Sequence, residues 1–532
     1  LDKLFPNHGL LCAEKFLDIN HFPFGTSSYI FLLQFSYDHN ETAIHNLKKP
    51  KIWQSNDYLI LSYDSISQLN VLPDKNLKTS SKYDSLWSLL DKTSTTLGKR
   101  FLRESLLNPI LDHIELNKRY RLIELLSSKH EGCHVFSYIE NYLQKIFDIE
   151  RLHRRMTIGL LEPKAFTNLD ISYQFIIQLI DFITNSITNE DLLSILPQND
   201  TILQFKEFIN DYTSKLNMEI VSRFTQNNIK TSIFRDGLYP NIDIIQVKIQ
   251  QLKIFFTNLR TYFSEITGLD FKAIELKETD KEGHFISLTK KRGQLLKDKL
   301  KDIKTINIKI DNNNTININV SELNFRNLST TSKITCPEIK KYSEKINFQY
   351  SQLSKKCLIQ FKELLTEYDK KYSTILNNVV HFISYIDFVK SNSKCAIQYN
   401  YHRPHIIKSD LNNSYIKADN LRHPIIEKIN DSIEYIPNDV TIGTDNKNGM
   451  LLFGVNAVGK SSYMKAMGLS IIMAQSGMYV PAENYHYHPY KNLFTRISGN
   501  DNIFKGQSTF AVEMSELRSI LKRADNNSLI LG

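Results

Sequence analysis

From Glu338 to Lys394 the chain runs for 57 residues without a glycine or a proline. Within that stretch Phe361, Leu365, Tyr368, Tyr372, Ile375, Val379, Phe382 and Ile386 recur at alternating steps of four and three. This heptad-like stripe is the pattern of one long helix packed along another. Helical throughout, the stretch would be about 85 Å long at 1.5 Å per residue. The stripe itself reads as helix–helix core. A chain holding such a segment is expected to carry an extended arm.

The flanks say what the arm carries. Asp243 to Ile266 reads as helix, stopped by Thr267-Gly268. Residues 269–335 then change character. Ile306, Ile308, Ile310 and Ile316, Ile318, Val320 alternate with polar residues around a turn at Asp311–Asn314, a β-hairpin with one buried face. The expected outline is a long helix out, a small β-rich module, and a long helix back. Residues 1–80 mix strand-like runs such as Tyr58-Leu59-Ile60-Leu61 with turns and read as part of an α/β domain. Tyr83 to Phe234 reads as mostly helical, with a turn at Asp236-Gly237 and Pro240. From 399 onward the order strand, loop, helix, strand predicts an α/β nucleotide-binding domain.

That domain contains Met450 to Ser462, MLLFGVNAVGKSS. Gly454, Gly459, Lys460 and Ser461 fit G-x-x-x-x-G-K-[ST]. The glycines let backbone N–H groups turn toward a triphosphate, the lysine reaches the outer phosphates, and the serine hydroxyl can ligate magnesium. Met450–Phe453 reads as a buried strand before the loop. A helix from about Ser461 to Gln475 would place its N-terminus under the phosphates. The competing reading is a glycine-rich turn with a surface lysine.

Composition sets wide bounds. Hydrophobic residues make up 41% and charged residues 23% of 532, as in a soluble globular protein of several domains. The net charge of +9 permits a polyanionic partner without demanding one. Cys12, Cys133, Cys336, Cys357 and Cys395 form no C-x-x-C pair, so neither a zinc site nor a disulfide framework is expected, and an intracellular, reducing compartment is. No apolar run reaches bilayer length; Phe175 to Ile187 is broken by Gln178 and Asp181. His402, His405, His486 and His488 have no cysteine or acidic partner at ligand spacing and read as surface or loop histidines. The start at Leu1 and the stop after Ser528–Leu531 read as a fragment open at both ends. Heavy use of Ile, Asn, Lys and Tyr suits an AT-rich genome.

Leu421-Arg422-His423-Pro424-Ile425-Ile426-Glu427, Tyr435-Ile436-Pro437-Asn438-Asp439, Gly477-Met478-Tyr479-Val480-Pro481-Ala482, Phe494-Thr495-Arg496-Ile497 and Gly506-Gln507-Ser508-Thr509-Phe510-Ala511-Val512-Glu513-Met514 surround the loop. Together they resemble the ATPase domain of the MutS mismatch-repair family. Upstream, Thr95-Thr96-Leu97-Gly98-Lys99-Arg100 with Leu102, Leu106 and Pro109, and Asp148-Ile149-Glu150-Arg151, resemble segments of its core helical domain. The stretch from Arg496 to Gly506 is similar to a subgroup found in giant viruses and octocoral mitochondria. The loop departs from the family's usual GPNMGGKST at Val455, Ala457, Val458 and Ser462. The family's mismatch-reading Phe-x-Glu is matched by letters only, at Phe263-Ser264-Glu265 and Phe361-Lys362-Glu363 inside arm helices.

The resemblance implies a multidomain α and α/β architecture: a partial connector at 1–80, core and lever helices at 81–268, a DNA-contacting clamp at 269–335, a returning lever at 336–398 and a P-loop ATPase domain of the ABC type at 399–532. ATP with Mg²⁺ would sit on Gly454, Val455, Asn456, Ala457, Val458, Gly459, Lys460, Ser461 and Ser462, with Ser461 on the metal. Asn456 would lie beside the γ-phosphate, and Tyr435 would stack on adenine or serve as a core tyrosine. Ser508 and Thr509 would reach the nucleotide of a second MutS-like subunit, in a homodimer, or cap a helix. No catalytic carboxylate is expected before Gly532, so hydrolysis is expected of a longer protein. Lys290, Lys291, Arg292 and Lys297, beside a strand expected at Phe285–Leu288, read on charge alone as a solvated face; the clamp resemblance sets contact with double-stranded DNA beside that reading. The function implied is DNA-mismatch repair by an ATP-switched clamp, which would also engage downstream repair factors. The alternatives are a recombination clamp without mismatch recognition and, with less support, an ATPase of the SMC or ABC transporter kind.

Overall fold

A computed structural model of the chain describes residues 1–532 except 2–3, 6–11, 20–21, 40, 45–46, 48, 51–56, 74–82, 188, 224–229, 280–282, 311–314, 408–412, 430–434, 445–446, 457, 498–513, 515–516 and 519. The chain is rich in helices, with several small sheets, and divides into two compact units. One comprises residues 1–154, 169–205 and 373–532; the other comprises 155–168 and 206–372.

The stretch without glycine or proline forms one helix, Pro337–Tyr399, which contributes to both units. Every member of its stripe is buried, so the heptad spacing marks packing, as expected. From Ser373 onward it lies in the first unit. There, Asp387 and Lys390 are completely buried and paired at 3.0 Å. Asp387 also accepts from the backbone N–H groups of Ser94 and Thr95 and from the Thr95 hydroxyl. Lys390 donates to the Lys92 carbonyl and to Ser94 Oγ. Helix Thr96–Leu107 starts from this loop, with the Thr95 hydroxyl accepting from Gly98 N at its N-cap. Gly98 must be glycine here: a Cβ would lie 2.3 Å from an Asp387 carboxylate oxygen.

The first unit holds two larger sheets. Ile60–Leu61, Asn492–Thr495 and Ser528–Leu531 form a parallel sheet in that order. The strand expected near Tyr58–Leu61 is therefore present, and its partner is a strand from the far end of the chain. His405–Ile406, Asn484–His488, Tyr415–Leu421 and Asn438–Ile442 form a mixed sheet. Helix Lys460–Gln475 is buried all round from Ala466 to Gln475. Its C-terminal end is fixed by Tyr120 Oη donating to the Ala474 carbonyl at 2.6 Å and by Arg119 donating to the Ser476 carbonyl at 2.9 Å.

The second unit contains the β-rich module. The predicted hairpin is Thr305–Lys309 against Thr315–Asn319, with Ile306 opposite Ile318 and Ile308 opposite Ile316; its turn lies outside the described residues. Beside it lies a larger sheet, Glu275–Thr279, Gly283–Thr289, Thr331–Thr335 and Asn324–Asn327 in the order 275–283–331–324; of its strands the sequence reading found only the one at Phe285–Leu288. Gly283 to Leu288 are buried in succession, so that strand is covered on both faces and does not alternate between buried and exposed positions. Helix Pro240–Thr267 ends where expected. Its Phe255, Phe256, Leu259 and Phe263 share a core with Ile286, Ile306, Ile334 and Ile346.

All five cysteines are free thiols. Among the described residues no helix is long and apolar enough to cross a membrane. His405, His486 and His488 sit on paired strands, not in loops. Burial and neighbouring His486, stacked at 5.3 Å, push the His405 pKa down. No group of three His, Cys, Asp or Glu that could hold a metal occurs among the described residues.

Candidate nucleotide site and basic helix

The helix Lys460–Gln475 springs from Gly459, whose φ of 100° lies in the left-handed region, where a side chain would be strained. No side chain caps the helix, so its first-turn N–H groups are left for an external acceptor. Lys460 Nζ folds back over the loop and donates to the carbonyls of Gly454 at 2.7 Å and Val455 at 2.8 Å. The loop from Gly454 to Asn456 and at Val458 is exposed, as is Ser461; Ser462 is half-buried. Tyr463, in the first turn, donates to the Asp439 carbonyl at 2.6 Å. Burial raises its phenol pKa, with Asp439 and Tyr435 adding to the shift. Lys460 and Ser461 line a groove of about 940 Å³ whose floor includes Met464 and Met467. Ala457, Ser508 and Thr509 lie outside the described residues.

One expectation fails here. Met450–Phe453 is not a buried strand: it forms no strand, and Leu451 and Phe453 are about nine-tenths exposed. An apolar run becomes a buried strand only where a neighbour covers it and pairs its backbone. The parallel sheet has Ser528–Leu531 as its edge, and the groove separates that edge from Met450–Leu452.

The motif Leu421–Glu427 closes on itself. His423 Nδ1 accepts from the backbone N–H groups of Ile425 and Ile426, each at 3.2 Å. Burial, followed by Lys465, lowers the His423 pKa to about 4, so the ring stays neutral and can accept. Arg422 pairs with Glu427 at 2.9 Å, and Glu427 also accepts from Tyr401. The two upstream motifs meet directly, which their spacing did not show: Arg100 binds both oxygens of Asp148, at 2.9 and 2.6 Å, and Glu150 at 2.7 Å. Burial opposes ionisation of Asp148, but the Arg100 hydrogen bonds outweigh it and hold the carboxyl below its ordinary range.

In the second unit Lys290, Lys291, Arg292 and Lys297 are brought together on a ten-residue helix, Lys290–Lys299, and all four are exposed. The sequence reading saw the cluster but not the helix; Gly293 within it weakens the helical signal. Three of the cations occupy the first turn, where no acidic residue is present. Positive charge at that end opposes the helix dipole by some tenths of a kcal/mol per residue. Helix stability therefore does not account for the placement, whereas an anion would be attracted by both the side chains and the helix end.

Residues 64–393 match the model of MutS domain III, and residues 450–531 match MutS domain V. The chain belongs to the MutS family. It is 34% identical over 557 residues to a DNA mismatch repair protein mutS homolog of Acanthamoeba polyphaga mimivirus, an alignment covering 95% of this chain and 48% of that one. It is 32% identical over 526 residues to a mitochondrial DNA mismatch repair protein mutS homolog of Sarcophyton glaucum, covering 95% and 49%. Similarity to the DNA mismatch repair protein MutS of Caldanaerobacter subterraneus is 27% over 501 residues, covering 94% and 52%. The chain thus spans about half the length of the curated relatives it matches. The higher identity to the viral and octocoral mitochondrial proteins agrees with the subgroup that the stretch from Arg496 to Gly506 resembles.

Proposed function

We propose that this MutS-family chain serves DNA mismatch repair, binding ATP at the loop Gly454–Ser462 and duplex DNA through the helix Lys290–Lys299. The observation that carries the nucleotide reading is the uncapped helix start at Gly459 with Lys460 laid across the loop carbonyls. Lys460 Nζ would leave those carbonyls for phosphate oxygens, and the first-turn N–H groups would complete the cradle. Tyr435 would take the base. A divalent ion fits only as part of the nucleotide complex: Ser461 offers one hydroxyl oxygen, and no further metal-holding group is gathered among the described residues. Mg²⁺ characteristically takes one or two protein oxygens and the rest from phosphate and water. In this reading residues 399–532 form a P-loop ATPase domain, residues 269–335 a clamp, and Ser508 and Thr509 complete the site of a second subunit.

Two measurements test the proposal. A fluorescent ATP analogue should bind the chain, and Lys460→Ala should weaken binding at least about tenfold, since a hydrogen bond to a charged group contributes roughly 1.5–3 kcal/mol. Equal affinity in the variant would remove the loop from the site. For DNA, replacing Lys290, Lys291, Arg292 and Lys297 with Gln should flatten the dependence of log affinity on log salt by up to roughly 3–4, about 0.9 for each phosphate no longer neutralised. An unchanged slope would assign duplex binding elsewhere.

A further inference from the structure

The second unit carries a groove that neither nucleotide nor duplex binding uses. One wall is helix Pro240–Thr267, the other is the start of helix Pro337–Tyr399, and Ile310 closes one end. The space between them is about 810 Å³, and a second hollow of about 440 Å³ continues it along Pro240 to Gln251; Lys248 and Gln251 line both. Helix Pro240–Thr267 already buries Ile242, Ile245 and Ile249. It has a second apolar stripe, Ile244, Val247 and Ile254, which is 52%, 49% and 39% exposed. With Gln251, these positions follow one another at steps of three, four and three, the spacing of a helix packed along another helix. Across the groove Phe348 is 59% exposed. The rim is cationic: Lys248, Lys341 and Lys345 line the groove, against Glu344. No carboxylate within ion-pair distance of these three lysines occurs among the described residues. Asp243, in the second hollow, is occupied by the backbone N–H of Gly237 at 3.0 Å.

We propose that this groove receives an acidic amphipathic helix of a partner protein. The stripe from Ile244 to Ile254 rises about 15 Å, three helical turns, a length typical of helix-in-groove recognition with anchors at i, i+3 and i+7. The apolar anchors would seat between Ile254, Tyr342 and Phe348, and flanking carboxylates would meet Lys248, Lys341 and Lys345. A nucleic-acid backbone would satisfy the lysines but leave the apolar stripe in water. A symmetric contact between two copies of this chain would set the same patch against itself, lysine against lysine.

The test uses the full chain and two fluorescein-labelled synthetic helices read by anisotropy. Both carry Leu at i, i+3, i+7 and i+10; one has Glu and the other Lys at the flanking positions. The acidic helix should bind at least about tenfold more tightly than the basic one. Ile254→Glu should weaken it at least about tenfold, and Lys341→Glu with Lys345→Glu should reverse the preference. All three positions are exposed, and unchanged circular dichroism would confirm that the variants fold. Equal binding of the two helices, or affinity unaffected by Ile254→Glu, would overturn the proposal. So would displacement of the acidic helix by a duplex oligonucleotide that Ile254→Glu still binds, or concentration-dependent self-association abolished by Val247→Glu.

Discussion

His423 shows how a single ring can tie a motif to pH. Its Nδ1 accepts two backbone N–H groups only while neutral, and its folded pKa of about 4 lies below the ordinary 6.5. Between those values the unfolded chain binds more protons than the folded one, so stability must rise with pH across that window and fall as pH drops through it. The contribution is complete above about 6.5 and is lost on approaching 4. Fully expressed it is on the order of 3 kcal/mol. Urea unfolding of the native chain should therefore lose stability from pH 6.5 to 4.5, and His423→Asn should flatten that part of the profile. An identical slope in the variant would mean another group carries the dependence. The motif Leu421–Glu427 was legible as a string of letters. That its histidine acts as a neutral acceptor was not, because its low pKa comes from burial and, after that, from Lys465, a residue distant in the chain.

Among the elements, the join between helix Thr96–Leu107 and helix Pro337–Tyr399 is the most demanding. Asp387 and Lys390 have no exposure, and the N–H groups of Ser94 and Thr95 end on the same carboxylate. Removing one partner strands a buried charge, at about 3–5 kcal/mol. Asp387→Ala should cost that much in chemical denaturation. Gly98→Ala should also destabilise, because its new methyl meets the Asp387 carboxylate, but much of that penalty should vanish in the background of Asp387→Ala. Additive losses would show that the two sites do not communicate. The long helix was readable from its unbroken composition and its heptad stripe. The pair was not: Asp387 and Lys390 look like ordinary solvated helix charges until the loop from Lys92 to Thr95 is folded onto them. The strand at Phe285–Leu288 was legible too, within Gly283–Thr289; the sheet it joins was not, because a strand's own residues do not name the strands that pair with it. Met450–Phe453 was misread because a sequence displays hydrophobicity but not the neighbour needed to cover it.

At the scale of the molecule, groups that lie from tens to hundreds of residues apart in the chain are assembled within one unit. Arg100 meets Asp148 and Glu150; Ile60–Leu61 pairs with Asn492–Leu493; Tyr120 ties helix His113–Ser127 to the far end of the phosphate-loop helix. The basic helix of the second unit and its lysine-rimmed groove concentrate a modest overall charge of +9 on defined surfaces.

The helix Lys460–Gln475 has one further consequence. Its first turn is open to water, while its last ten residues have no solvent face and are held at the end by Tyr120 and Arg119. Amide protons along this single helix should therefore exchange with deuterium at sharply different rates. Those of Lys460 to Tyr463 should be lost through local fraying, and those of Ala466 to Gln475 only through opening of the whole unit. Added nucleotide should slow the first group far more than the second. Uniform slowing along the helix would instead mean that ligand binding at the loop is felt as global stability.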